Sequence, residues 1–227
     1  MIYSTSQFCY SRHVGNGHEP TSTERTSKGE QTRRTVLDAA ITRFGRDGFR
    51  VTSVADVARD AGVGGTVPYA YFANKEALFL AALDDDAAAV MEEGLVQLTG
   101  DDRPPQWREQ LVLTLIDALD RHPLARRVLA GLEPEVTDRV QDIPAMLELR
   151  KAVVEQLRAD QAAGLVRADI DAESVGNGAV TIILTVLMSV LQFGRSGVAQ
   201  HGADVMAVFA AALDPPPPFR PPDAPPE

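Results

Sequence analysis

A chain of 227 residues, 44% of them apolar, can bury one sizeable core or join a small module to a larger one, so it is neither disordered nor fibrous. Its single cysteine, Cys9, excludes an internal disulfide, and His13, His18 and His122 stand at no spacing that would hold a metal with it, so no metal or other cofactor is expected. The net charge of −10 argues against a polyanionic partner, yet residues 28–83 carry eight basic and six acidic side chains whereas residues 84–227 carry twelve and twenty-four. Only the first of these segments is positive.

Residues 1–28 are polar and aperiodic, read as a disordered tail without the apolar stretch of an export signal. Val36, Leu37, Ala40, Ile41 and Phe44 then fall on one helical face, with Gly48 as a left-handed cap and Phe49 as the apolar residue after it. Ser53 opens a second helix with Asp56 as its capping-box partner, burying Val54, Val57, Ala58 and Ala61 up to Gly62. A third short helix is expected between Gly64 and Phe72, and Asn74 caps a fourth that runs through Leu78, Phe79, Ala82, Met91 and Leu95.

After the break at Gly100 to Pro105, helices are expected at about 106–121, 124–132, 144–163, 172–194 and 201–213, separated by His122-Pro123, Pro134, Gly164 and the Gly194–Gly197 turn. The longest apolar run, Ala179 to Leu191, falls short of the roughly 18–20 residues of a membrane span and carries Thr181, Thr185 and Ser189, so it reads as a buried helix of a soluble protein. Eight of the fifteen prolines crowd into Pro215 to Pro226, which makes 215–227 a proline-rich disordered tail. The fold class is all-α.

The segment from Ser53 to Phe72 has the spacing of a helix-turn-helix: an apolar-faced helix of about nine residues, a tight turn at Gly62 with Val63 behind it, and a second short helix. Helical hairpins of other kinds share that spacing. The residues themselves add more. Arg33-Arg34-Thr35-Val36-Leu37-Asp38-Ala39-Ala40, Phe44, Gly48-Phe49, Thr52 to Ala58, Ala61-Gly62-Val63, Tyr69 to Phe72 and Asn74 to Phe79 together resemble the DNA-binding domain of the TetR/AcrR family over about 50 residues.

That resemblance implies a helix-turn-helix domain over 29–91 and a helical-bundle domain over 92–214 for ligand binding and dimerisation. It implies a cytoplasmic, nucleoid-associated regulator, typically a repressor, that binds a palindromic operator as a homodimer and answers to a small-molecule effector. Arg33 and Arg34 would reach phosphates, Thr52 and Ser53 would offer a hydroxyl and a helix-terminal amide, Lys75 would clamp the backbone, and Tyr69 and Tyr71 would face the groove.

One departure falls on the recognition element. The family pattern of Gly-Val-Ser, two variable residues and Thr-Val-Tyr is here Gly62-Val63-Gly64-Gly65-Thr66-Val67-Pro68-Tyr69, with Gly64 in the serine position and Pro68 where an early helical hydrogen bond is due. Either Thr66 caps a helix that starts late, with Pro68 in its first turn, or that turn is distorted. No Arg, Lys, Asn or Gln lies between Gly62 and Phe72, so Gly64, Gly65, Thr66, Val67 and the tyrosines would contact methyls and phosphates more than base edges.

For the second domain the resemblance implies a four-helix bundle between subunits, for which Ile183, Leu187, Val190, Leu191, Val205 and Phe209 are the expected interface. Trp107, Leu111, Leu115, Met146, Leu149 and Met188, large and pliable side chains on enclosing helices, are the candidate pocket. An enzyme is not indicated. Gly62-Val63-Gly64-Gly65 follows a helix and lacks a Gly-Lys-Ser/Thr ending, Gly194-Arg195-Ser196-Gly197 has the wrong spacing for a nucleophile elbow, and no acid–base constellation assembles.

Overall fold

The computed structural model describes residues 22–99, 107–136 and 142–215, and among these every regular element is helical. In chain order they are α1 (Ser22–Asp47), α2 (Val54–Asp60), a single 3₁₀ turn (Val67–Ala70), α3 (Lys75–Thr99), α4 (Trp107–Leu119), α5 (Pro123–Leu129), α6 (Pro144–Ala162), α7 (Ala172–Phe193) and α8 (Arg195–Leu213). Residues 1–21 and 216–227, which hold most of both expected tails, lie outside the described residues.

The boundaries follow local chemistry. The Ser53 hydroxyl accepts from the Asp56 amide while the Asp56 carboxylate accepts from the Ser53 amide, a complete capping box at α2. Asn74 accepts from the Ala77 amide at the start of α3, and Asp171 from Ser174 at the start of α7. Gly48 ends α1 with φ +88° and a hydrogen bond from its amide to the Phe44 carbonyl. Two helices begin earlier than their patterns suggest. α1 starts at Ser22 and α8 at Arg195, so that only Gly194 separates α7 from α8.

Helix α7, at 22 residues with mean hydropathy 1.9, is by length and composition able to cross a bilayer, longer than its thirteen-residue apolar run implies. In this fold it packs one face against α4, α5, α6 and α8.

The core is continuous. Val36, Leu37, Ala40 and Phe44 of α1 meet Val54 and Val57 of α2, Leu78, Phe79 and Leu83 of α3, Leu124 and Val128 of α5, and Met146 of α6 in one cluster. Phe44, Phe49 and Phe79 interlock, with both outer rings edge-on to Phe79 at 5.1 Å. α1 thus packs onto α5, and α3 onto α4, α5 and α6, while α3 runs through the expected boundary at residue 91 unbroken.

Three successive aspartates of α3 anchor its neighbours. Asp84 accepts from the Ala145 amide at the start of α6 (2.9 Å), Asp85 pairs with Arg34 of α1 (2.8 Å), and Asp86 accepts from the Leu124 and Ala125 amides at the start of α5 (3.0 and 2.8 Å). Consecutive helical residues lie about 100° apart, so three in a row address three directions. Two of the three meet the positive end of another helix.

Candidate nucleic-acid interface and cavity

α2 and the following 3₁₀ turn form the two arms of a helix-turn-helix. Gly62 reverses the chain at φ +67°, and Val63 returns its amide to the Ala58 carbonyl while its side chain packs against the core. The second arm is shorter than expected. It is one turn of four residues held by Val67 to Gly64 (2.9 Å), Tyr69 to Thr66 (3.2 Å) and Tyr71 to Pro68 (3.0 Å). Pro68 sits at the start of that turn, where its missing N–H costs nothing, and its ring is buried. Thr66 precedes the turn but its hydroxyl makes no cap bond and the element is 3₁₀, so the distorted turn is found and not a helix capped by Thr66.

The turn leaves Gly64, Gly65 and Thr66 exposed, Val67 and Tyr71 half-buried, and Tyr69 at 55% exposure. This is a continuous surface of small and aromatic groups. The expected phosphate contacts are partly engaged elsewhere. Arg34 bridges Asp38 (2.9 Å) and Asp85, and Arg33 lies 5.6 Å from the Phe72 ring beside Glu30. Lys75 donates to the Arg50 carbonyl at 3.3 Å and stands 4.3 Å over Phe49, which brings its charge to the turn between α1 and α2.

The two hydroxyl residues take other places than expected. The Ser53 amide and hydroxyl both point to Asp56, so neither is a free donor. Thr52 is buried, and its Oγ1 has no partner among the described residues. An unpaired buried hydroxyl is unfavourable. Thr52→Val should therefore stabilise the fold by about 1 kcal/mol, read as a higher urea midpoint, while DNA affinity stays within about twofold.

Ion pairs tie α2, the first arm, to α1. Arg43 of α1 grips Asp60 of α2 through two bonds (2.6 and 2.7 Å) and reaches Asp47 at 3.1 Å. The Arg43 guanidinium holds the Asp60 carboxyl below its usual range. Arg46, then Arg43, bring Asp47 down to about 2, and the Ser53 hydroxyl, then Arg59, do the same for Asp56. These acids are thereby neutralised by cations of their own domain, which limits their repulsion of a phosphate backbone.

Below this unit, α3, α4, α5, α6 and α7 enclose a cavity of about 80 Å³. Leu111, Leu115, Met146 and Leu149 line it as expected, joined by Leu83, Ala87, Val90 and Met91 of α3. Met188 does not line it, being one turn beyond Leu184, and the Trp107 side chain lies outside the described residues. Ile183 and Leu187, expected at a subunit interface, instead form the α7 wall.

The other expected interface residues also make contacts within their own protomer. Val190 and Phe209 are buried within the protomer, and Leu191 and Val205 pack against its core clusters. The outward face of α7 carries Thr181, Ile182, Thr185 and Phe193, the last 77% exposed. On that face Thr181, Thr185 and Ser189 each donate to the carbonyl four residues earlier, at 3.0, 2.8 and 2.8 Å, so the hydroxyls spend themselves on their own helix.

Residues that the periodicity did not single out join the two halves. The Glu133 carboxylate, buried in the loop after α5, accepts from Arg127 (2.6 Å) and from the Phe49 amide (3.2 Å). Arg50 pairs with Glu135, and His122 places one ring nitrogen 2.9 Å from Asp86. A trace of them in the sequence is three acids in a row within the apolar stretch from Ala77 to Met91 of α3.

A capped helix, a glycine turn and an exposed second arm, mounted on a helical body with an apolar cavity, make up a helix-turn-helix unit of the kind that can enter a DNA groove. Residues 36–82 match the family model for bacterial regulatory proteins of the tetR family. The chain is 27% identical over 193 residues to an uncharacterised HTH-type transcriptional regulator, YdgC, of Bacillus subtilis (strain 168), covering 83% of this chain and 96% of that one. Its fold is shared with a TetR-family transcriptional regulator of Pectobacterium atrosepticum (18% identity, TM-score 0.63, 82% and 96% of the chains). It is shared too with a gamma-butyrolactone receptor described as ArpA-like (21%, TM-score 0.51, 83% and 90%). The family match thus rests on residues 36–82, and over the rest of the chain the likeness to TetR-family regulators is one of fold.

Proposed function

We propose that this regulator is a ligand-responsive repressor that acts in the cytoplasm as a homodimer on a palindromic operator. The observation that carries the reading is the surface of Gly64, Gly65, Thr66 and Tyr69, presented beside α2 and left exposed among the described residues. Two such surfaces, one per subunit, would enter successive major grooves, with Arg33, Arg34 and Lys75 turning toward phosphates as DNA approaches. The outward face of α7, with Ile182 and Phe193, and the exposed Val208 of α8 are the surfaces for a second subunit.

The cavity is the effector site in this reading. Its α3 wall is the same stretch whose aspartates hold α1, α5 and α6, so an occupant that favours one spacing of these helices would bias the angle of the DNA-binding arms. A likeness in fold to a receptor for a small molecule supports an effector of that size.

Footprinting and gel shifts on DNA flanking the protein's own gene test the proposal. A protected palindrome is expected, with Tyr69→Ala, an exposed position, weakening specific binding about tenfold while non-specific binding changes little. The absence of Arg, Lys, Asn and Gln between Gly62 and Phe72 favours a second reading, a ligand-binding module without an operator. Salt-sensitive, sequence-independent binding alone would support it.

A further inference from the structure

We infer that the cavity takes an uncharged, hydrocarbon-like molecule and rejects carboxylates, phosphates and ammonium groups, a deepening that rests on reading it as the effector site. Nineteen described residues line it, and none carries a hydroxyl, amide, carboxyl or basic group. Three carboxylates of α3, the helix that supplies one wall, are committed elsewhere. Asp84 and Asp86 face the starts of α6 and α5, and Glu93 faces Arg121 and His122. A charge brought into the cavity would lose its hydration and find no partner, and a hydroxyl would lose its hydrogen bonds.

Size narrows the class. At about 80 Å³ the cavity is roughly half the ~150 Å³ at which an engineered apolar cavity takes up benzene. A short-chain hydrocarbon is the nearest match in size, and a single ring enters as Met91 and Met146 on the wall shift to enlarge the space. Empty cavities of this character stay dry and bind small aromatic hydrocarbons.

Toluene, benzyl alcohol and benzoate, near-isosteric probes of rising polarity, test the inference by calorimetric titration of the full chain. Toluene should bind, benzyl alcohol about tenfold more weakly, and benzoate not at concentrations about a hundredfold above the toluene Kd. Benzoate binding as tightly as toluene, or no toluene binding at its aqueous saturation, would overturn the inference. Ala87→Leu, which fills the wall of α3, should abolish toluene binding, and unchanged binding would place the molecule elsewhere and overturn it too. Because that variant can fail to fold, Leu149→Gln serves beside it: an amide on the wall should bring benzyl alcohol within about threefold of toluene, and an unaltered ranking counts against the inference. Gel shifts in the same solutions separate the two readings. Toluene binding without a change in DNA affinity leaves the cavity chemistry standing and sinks its effector role, whereas benzoate binding that changes DNA affinity does the reverse.

Discussion

Asp86→Ala should lower the unfolding free energy by roughly 3 kcal/mol, seen as a marked drop in the urea midpoint with little change in slope. The carboxylate is 4% exposed and accepts from two amides at the start of α5, while its other oxygen faces His122. Loss of a helix cap costs about 1–2 kcal/mol, and leaving buried donors unpaired adds a comparable amount. Asp86→Asn keeps an oxygen for the amides and forfeits the charge at the helix start, so about 1 kcal/mol is expected. Equal effects of the two variants would mean that α5 is held by its apolar contacts, chiefly Leu124 and Val128, and not by this carboxylate.

The second large effect lies where the DNA-binding arms rest on the body. At Gly48 the backbone has φ +88°, and a Cβ there would stand 2.6 Å from both Arg127 Nη2 and Glu133 Oε1. Gly48→Ala meets a left-handed conformation that costs about 1–2 kcal/mol, and it prises apart a shielded ion pair whose rupture costs several kcal/mol when one partner is stranded. A total of about 3–4 kcal/mol is expected, offset slightly by the reduced freedom of the unfolded chain. Gly62→Ala supplies the control. Its φ is +67° with nothing within 4 Å of the new methyl, so it should cost only about 1 kcal/mol. Thermal or urea unfolding of the pair reads the difference, and similar losses would show that the Arg127–Glu133 contact yields freely.

Much of this architecture was legible because helices announce themselves locally. The apolar spacing from Val36 to Phe44, the Ser53–Asp56 box and Asn74 before α3 each depend on residues within one or two turns, and each is where the pattern put it. The recognition element was legible in position but not in length. Pro68 announces a disturbed turn, yet only the packing of its ring settles it as one 3₁₀ turn in place of a helix.

What the amino-acid order determined by itself is the set of long helices and their caps, since these rest on short-range periodicity and on residues at fixed offsets, while the class of protein was legible only through a residue-by-residue resemblance. Tertiary structure decided which apolar face meets which neighbour. Periodicity gives an angle about a helix axis but not the identity of what lies in that direction, so Ile183 and Leu187 line the cavity while Thr181 and Ile182 look outward. The same holds for Asp84, Asp85 and Asp86, whose partners are 36 to 61 residues away or, for Arg34, 51 residues back. Contacts at such separations exist only once the helices have packed.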